Sequence, residues 1–167
     1  MLGIIIGVAG ALPNGSVNNV GSLNGKVCRN SFAAFQLQFQ CNNRVCINLC
    51  DEPWFSEYSE ATVLTIRHEG ELTPILNHIG MHIGGAGFLY GDCLKSDQVA
   101  DVEADVPAGV FIRFEIPKEF APGEYTGFFK ITSAKLFDDE VLVDKIKYTI
   151  QVKELILPEP GDYTMSL

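Results

Sequence analysis

The sequence lacks the features that would place it in several common functional classes. It has no apolar run close to the ~20 residues that a membrane-spanning helix needs. It carries 12 Lys and Arg against 21 Asp and Glu, for a formal net charge of −9, whereas a surface that binds phosphates needs clustered basic residues. The Gly-rich stretch 84–87 lacks the Lys-Ser/Thr pair of a phosphate-binding loop. The sequence therefore predicts a protein that binds neither nucleic acid nor membranes and that uses no cofactor.

Amphipathic helices are missing as well. No ten-residue window has apolar residues at the 3.6-residue period with capping residues at its ends; residues 31–36 could form one helical turn at most. Instead, about eight short stretches alternate apolar and polar residues, and 16 Gly and 8 Pro are scattered between them. The 167 residues suffice for one full core. These patterns predict an all-β protein, an antiparallel immunoglobulin-like β-sandwich, with residues 70–109 as its least regular part.

The clearest strands lie on either side of a proline-rich connection. In Val110 to Ile116, four apolar residues alternate with Phe111, Arg113 and Glu115, which is the period of a half-buried strand. Pro117 ends this strand, and the connection then reaches a second alternating strand. A tyrosine just after such a connection is typical of the tyrosine corner of immunoglobulin-like sandwiches. We therefore expect the Tyr125 hydroxyl to bond to backbone within residues 117–122 and its ring to pack beside Phe114 and Phe129. We expect the tight turn of this corner at Pro122-Gly123. The predicted corner consists of Pro122, Gly123, Tyr125 and Gly127.

Three further segments have strand patterns. Residues 2–12 are apolar, and because no basic residue precedes them, a first strand is a better interpretation than a signal peptide. Residues 35–40 alternate Phe and Leu with Gln, and Asn42-Asn43 predicts a hairpin that joins them to residues 45–49. Residues 146–152 form a last long strand with one apolar face.

Cysteine and histidine are too sparse and too irregularly spaced for a metal site. Five Cys cannot all pair within one chain, so we expect buried free thiols and favour a cytoplasmic over a secreted location, leaving the compartment open. The spacing of Cys41, Cys46 and Cys50 matches no zinc motif, and we expect Cys46 and Cys50 to form a second buried face of their strand. His78 and His82 have helical spacing, but the glycines around them predict loop histidines and no metal.

A cluster of aromatic residues is the one candidate binding site. Trp54, Phe55 and Tyr58 follow the acidic pair Asp51-Glu52, and aromatic rings on a sandwich loop can stack on a sugar. The alternative is that these rings cover the end of the sandwich or contact another domain. Acidic pairs such as Asp138-Asp139 are expected in solvated turns, and no nucleophile–base arrangement is evident.

Three segments, in this order, resemble one known domain: Arg29-Asn-Ser-Phe-Ala-Ala-Phe-Gln-Leu37, Ile116 to Gly127 with its Pro-Gly-Glu-Tyr-Thr-Gly, and Leu155-Ile-Leu-Pro158. The chain is similar to the N-terminal β-sandwich domain of a family of glycoside hydrolases related to the N-acetyl-β-galactosaminidase type. In that family the Leu-Pro exit is followed by a (β/α)8 barrel that carries the catalytic carboxylates.

The resemblance implies an accessory role. Residues 1–157 would form one sandwich domain and residues 158–167 a linker toward a downstream catalytic domain of the same polypeptide, in a bacterial protein. No catalytic residue can then be assigned to this chain, which would pack on the barrel and orient it. The alternative function is an independent carbohydrate-binding or adhesion module that uses Trp54, Phe55 and Tyr58.

Overall fold

The computed structural model describes residues 4–9, 22–50, 61–83 and 89–159, with the backbone alone for 4–9, 81–83 and 89–93. In these ranges every regular element is a β-strand, and no helix is present that could cross a membrane. The strands are β1 (Ile4–Ala9), β2 (Ser22–Arg29), β3 (Ser31–Cys41), β4 (Val45–Asn48), β5 (Thr62–Gly70), β6 (Pro74–Ile83), β7 (Leu89–Lys95), β8 (Val99–Val102), β9 (Ala108–Ile116), β10 (Gly123–Ala134) and β11 (Val141–Ile156).

The described strands form two sheets that pack face to face. The first sheet has the order β1-β3-β9-β6-β7, and the second has the order β2-β11-β10-β5-β4-β8. All pairs are antiparallel except β2 with β11 and β4 with β5. The predicted all-β antiparallel immunoglobulin-like sandwich is thereby confirmed.

The core lies between the central strands of the two sheets. Alternate residues of β9 and β10 are buried as their patterns predicted, and the rings of Phe114 and Phe129 meet across the interface with centroids 6.2 Å apart. The alternating residues of β3 and β11 fill the same layer. Burying such side chains contributes about 1.5–3 kcal/mol each, so these four strands supply most of the apolar driving force.

The predicted hairpin between residues 35–40 and 45–49 is wrong. β3 lies in the first sheet, between β1 and β9, whereas β4 lies in the second sheet, between β5 and β8. Residues 42–44 therefore carry the chain from one sheet to the other. A period of two identifies a strand with a buried face, but it does not identify the strand's neighbours. The second buried face of β4 is confirmed at Cys46, which is fully buried. The prediction is wrong for Cys50, which lies beyond the end of β4 and is only half-buried.

Residues 70–109 are more regular than predicted, because they contain β6, β7 and β8. The Pro and Gly residues in this region lower its strand propensity, but pairing of β6 with β9 and β7 compensates for that. Residues 31–36 belong to β3 and form no helical turn. The predicted first strand is present as β1, which pairs with β3.

Candidate functional site

The connection from β9 to β10 crosses from one sheet to the other and forms a corner. The tight turn lies earlier than predicted: the Phe120 amide donates to the Pro117 carbonyl at 3.1 Å, while Gly123 already begins β10. The Tyr125 hydroxyl donates to the Ala121 carbonyl at 2.9 Å, which is the backbone contact expected of a tyrosine corner.

The ring of Tyr125 does not pack where the sequence predicted. It is half-buried against Phe120, with ring centroids 4.9 Å apart. The tyrosine beside Phe114 is Tyr148 of β11, at 4.8 Å, and it also lies 5.6 Å from Phe129. Tyr125 is too close to the start of β10 to reach the centre of the core, so its ring covers the connection instead.

We expect Tyr125→Phe to lower the free energy of unfolding by about 0.5–1.5 kcal/mol, because it removes one hydrogen bond and keeps the ring. Urea denaturation with a fluorescence readout measures this loss. An unchanged midpoint would mean that the bond to Ala121 contributes nothing to the corner.

A set of hydrogen bonds holds the end of β11 in place. Arg29 and Asn30 make these bonds with backbone groups of residues 118, 154 and 157, and we call the set the exit clamp. The Arg29 guanidinium donates to the Glu154 carbonyl from Nη2 at 2.7 Å and from Nε at 3.2 Å, and to the Lys118 carbonyl from Nη1 at 3.4 Å. The Asn30 side-chain amide donates to the Leu157 carbonyl at 2.9 Å, and the Leu157 amide donates to the Arg29 carbonyl at 3.0 Å. The clamp therefore joins the bend between β2 and β3, the corner at Lys118 and the chain exit.

The local backbone explains why an asparagine suits position 30. Asn30 lies between β2 and β3, which belong to different sheets, and has a φ of 59°. Asparagine tolerates this left-handed conformation better than most residues. The bend turns its side chain and that of Arg29 toward β11. The three segments that carry the family resemblance thus meet at one end of the sandwich, although they are far apart in the sequence.

A groove lies beside the exit clamp. It has a volume of about 270 Å³ and is open to solvent. Its lining comes from the start of β3 and the end of β9: Asn30, Ser31, Phe32, Arg113, Glu115, Ile116 and Pro117. Arg113 pairs with Glu115 at 2.9 Å, and the Ser31 hydroxyl donates to the Cys28 carbonyl at 2.5 Å. The groove therefore combines apolar and polar walls with an Arg113–Glu115 ion pair, and none of its lining residues is set up as a nucleophile.

Large apolar side chains are exposed around the groove and the exit. Phe32 is 57% exposed, Leu155 63%, Ile156 45% and Leu157 36%. We call the groove and these four residues the exit surface. Exposed apolar side chains of this kind mark interaction sites on soluble domains. The sequence alone did not reveal the surface, because Asn30, which lines the groove, meets Leu157 only in the folded chain.

The other predicted site residues have different outcomes. Trp54, Phe55 and Tyr58 lie outside the described residues, so the carbohydrate site remains a prediction. His78 and His82 were predicted to be loop histidines, but both belong to β6, which lies between β7 and β9. The His78 side chain is buried. Burial lowers its pKa below the ordinary histidine value, because charge is disfavoured away from water.

The four cysteines whose side chains the structure describes are buried or half-buried free thiols. Cys28, Cys41, Cys46 and Cys50 are free, and burial raises the pKa of Cys41 and Cys46. Within the described ranges, no group of three or more His, Cys, Asp or Glu could hold a metal ion.

Comparison with known proteins supports the fold. No protein-family model and no curated protein matches the chain. Among solved structures, a family 123 glycoside hydrolase from Clostridium perfringens is similar over 96% of this chain, with a TM-score of 0.65 and 15% identity. The chain spans only 28% of that hydrolase. At this identity the likeness shows a shared fold alone.

Two other solved structures are more distant. The PapD-like domain of human CEP192 has a TM-score of 0.41 and 12% identity, with 90% of this chain and 86% of that chain covered. A cohesin–dockerin complex from Clostridium thermocellum has a TM-score of 0.36 and 13% identity, with coverages of 91% and 99%. These two likenesses carry no argument of their own; the two sheets of the described strands place the chain in the class of two-sheet β-sandwich domains.

Proposed function

We propose that this chain is a non-catalytic accessory domain of a larger glycoside hydrolase, which packs on the catalytic barrel that follows it and orients that barrel. The exit clamp is the observation that carries this proposal, because it fixes the direction in which the chain leaves the sandwich. The likeness to 28% of a family 123 glycoside hydrolase supports the same view, as does the family resemblance of the three segments that meet at the clamp.

The physical effect of the clamp is to stop the end of β11 from separating from the body of the domain. Leu157 makes hydrogen bonds in both directions, one from Asn30 and one to Arg29. Pro158 then confines Leu157 to extended conformations and has a nearly fixed φ of its own. A following domain would therefore start from a defined position, next to an exposed apolar surface that it could cover.

The chemistry of the exit surface supports binding over catalysis. Ser31 uses its hydroxyl to brace the backbone at Cys28, and Arg113 is paired with Glu115. Among the described residues, neither has the base or the second carboxylate, at a defined separation across a cleft, that nucleophilic or glycosidic chemistry requires.

The coding sequence downstream of Leu167 is the first test. A pattern of alternating strands and helices that ends in a (β/α)8 barrel is the expected result. A stop codon directly after Leu167 would contradict the proposal.

We expect Arg29→Ala to loosen the exit in the longer protein, because Arg29 supplies three of the clamp's hydrogen bonds. Limited proteolysis should cut residues 158–167 several times faster than in the wild type. Arg44→Ala is the matched control, since Arg44 is a surface arginine paired with Asp101 in the β4–β8 region. Equal cleavage rates in the wild type and Arg29→Ala would mean that the clamp does not hold the exit.

A further inference from the structure

We propose that the outer face of the second sheet binds an extended acidic oligosaccharide, one whose carboxylates or sulfates are separated by hydroxyl-bearing sugar units. The surface runs along five outward residues of β11, which we call the basic track: Lys145, Lys147, Thr149, Gln151 and Lys153. The proposal goes beyond the accessory role and does not rest on it, because the sandwich itself carries the surface.

The two-residue period of β11 creates the track. The residues between those of the track face the core and are buried: Ile146, Tyr148, Ile150 and Val152. The track residues therefore point away from the core, and all are exposed except the half-buried Thr149. At about 3.2–3.4 Å per residue the track is about 27 Å long. From Lys147 onward β10 and β2 flank β11 on its two sides, so most of the track lies on continuous sheet.

The charge of this face is opposite to that of the chain. The chain has 12 basic residues against 21 acidic ones, so an ordinary solvated face would be acidic, yet the track has three lysines and no acid. Two lysines on the neighbouring strands add to it. Lys26 of β2 is paired with Gln151 in the sheet register, and Lys130 of β10 is paired with Lys145.

The positive charge is only partly neutralised. Two acids project from the same face of β5 and β10: Glu69, which pairs with Lys130 at 2.5 Å, and Glu124, which is opposite Gln151. Among the described residues, no acid forms an ion pair with Lys26 or with any of the three lysines of the track. These four ammonium groups are therefore available to an anionic ligand, and charge-assisted hydrogen bonds to carboxylate or sulfate are the strong ones.

An aromatic ring lies beside one end of the track. Phe128 of β10 is half-buried, faces outward and is paired with Lys147 in the register. The Nζ of Lys145 lies 4.1 Å from the centroid of the Phe128 ring, which is a cation–π contact. This contact restrains the Lys145 side chain before a ligand arrives, so less rotamer entropy is lost on binding. The ring also gives an apolar patch on which the C–H groups of a sugar can pack.

The spacing of the charges favours an acidic oligosaccharide over nucleic acid. Lys147 and Lys153 are about 20 Å apart along β11, and Thr149 lies between them, with Asn24 and Thr126 opposite it on the two neighbouring strands. Double-stranded DNA carries a charge about every 1.7 Å of its axis, so most phosphates over this uncharged middle would meet no cation. Sugar hydroxyls there would find hydroxyl and amide groups that both donate and accept.

Titration calorimetry on the 167-residue chain tests the binding, with an oligogalacturonate long enough to span the track as the probe. The fully methyl-esterified form of the same oligomer is the control, because it keeps the sugars and loses the charges. We expect the acidic form to bind at least about tenfold more tightly than the ester, and its affinity to fall as salt is added. Equal affinity for the two forms, or binding of neither, would overturn the proposal.

A pair of double variants locates the surface. Lys145→Gln with Lys147→Gln should weaken binding of the oligogalacturonate about tenfold, with an unchanged Tm because both side chains are exposed. Lys95→Gln with Lys118→Gln removes the same charge outside this face, from β7 and from the corner, and it should weaken binding less than about twofold. Equal losses in the two double variants would mean that only net charge matters.

Competition identifies the class of ligand. Single-stranded DNA and polyglutamate, each of the same length as the oligogalacturonate, should displace it only weakly. If either bound more tightly than the oligogalacturonate and lost that affinity in the Lys145→Gln, Lys147→Gln variant, the surface would be one for nucleic acid or for an acidic protein, and the proposal would be wrong. None of these results bears on the accessory role, which the downstream coding sequence tests separately.

Discussion

Tyr148→Ala is expected to lower the free energy of unfolding by about 3–5 kcal/mol, by analogy with other large aromatic residues that are truncated in cores. Tyr148 is fully buried and is one of the largest buried side chains in the described part of the chain. It packs against Phe114 and Phe129 and stacks on His68 with ring centroids 5.7 Å apart. A domain of this size has about 5–15 kcal/mol to lose in total, so the variant should be partly unfolded at modest urea concentrations.

Two controls separate packing from other effects. Tyr148→Phe keeps the ring and loses the 2.9 Å hydrogen bond between the hydroxyl and His68 Nε2, so it should cost about 0.5–1.5 kcal/mol. Phe137→Ala removes an aromatic side chain that is 96% exposed, and it should change stability by less than about 0.5 kcal/mol. If Tyr148→Ala cost as little as Phe137→Ala, the core described above would be wrong.

Gly127→Ala should destabilise the domain by about 1–3 kcal/mol, because it overpacks the same cluster. A Cβ at Gly127 would lie 2.5 Å from Cε1 and Cζ of the Tyr148 ring. That is closer than real Cβ contacts, and the buried ring has little room to move. Gly70, which is paired with Gly127 across β5 and β10, also faces the Tyr148 hydroxyl. The ring therefore lies across two glycines, and this contact explains why the corner motif ends in glycine.

The cause of this effect can be tested with a double variant. In a Tyr148→Val background the added methyl group at Gly127 has space, so Gly127→Ala should become nearly neutral and the two changes should show a coupling of at least about 1 kcal/mol. Gly25→Ala is the matched control, since its Cβ would meet the edge of the Phe35 ring at 3.2 Å and Ile150 Cγ1 at 4.0 Å but no atom of Tyr148 within 4 Å among those nearest to it, and its cost should not depend on Tyr148. Additive costs for Gly127→Ala and Tyr148→Val would mean that the glycine is needed for a reason other than the tyrosine ring.

Much of the fold follows from local patterns. The two-residue period at 110–116, 125–131 and 146–152 depends only on which side chains must leave water, so it identified the strands and their buried faces correctly. The proline-rich connection likewise predicted a corner whose tyrosine hydroxyl reaches a backbone carbonyl.

Other features were decided only by tertiary structure. The sequence by itself determined that the protein is an all-β sandwich, that a corner precedes Tyr125 and that β4 has a second buried face at Cys46. These features depend on the alternation of apolar residues and on the proline and glycine of a turn, which can be read within a few neighbouring residues. Tertiary structure alone decided that β3 and β4 lie in different sheets, that Tyr148 and not Tyr125 fills the core, and that Arg29 and Asn30 hold the exit at Leu157. The physical reason is that each of these depends on which distant segments pair. That choice is made by the summed packing of the whole sandwich, which no local pattern encodes.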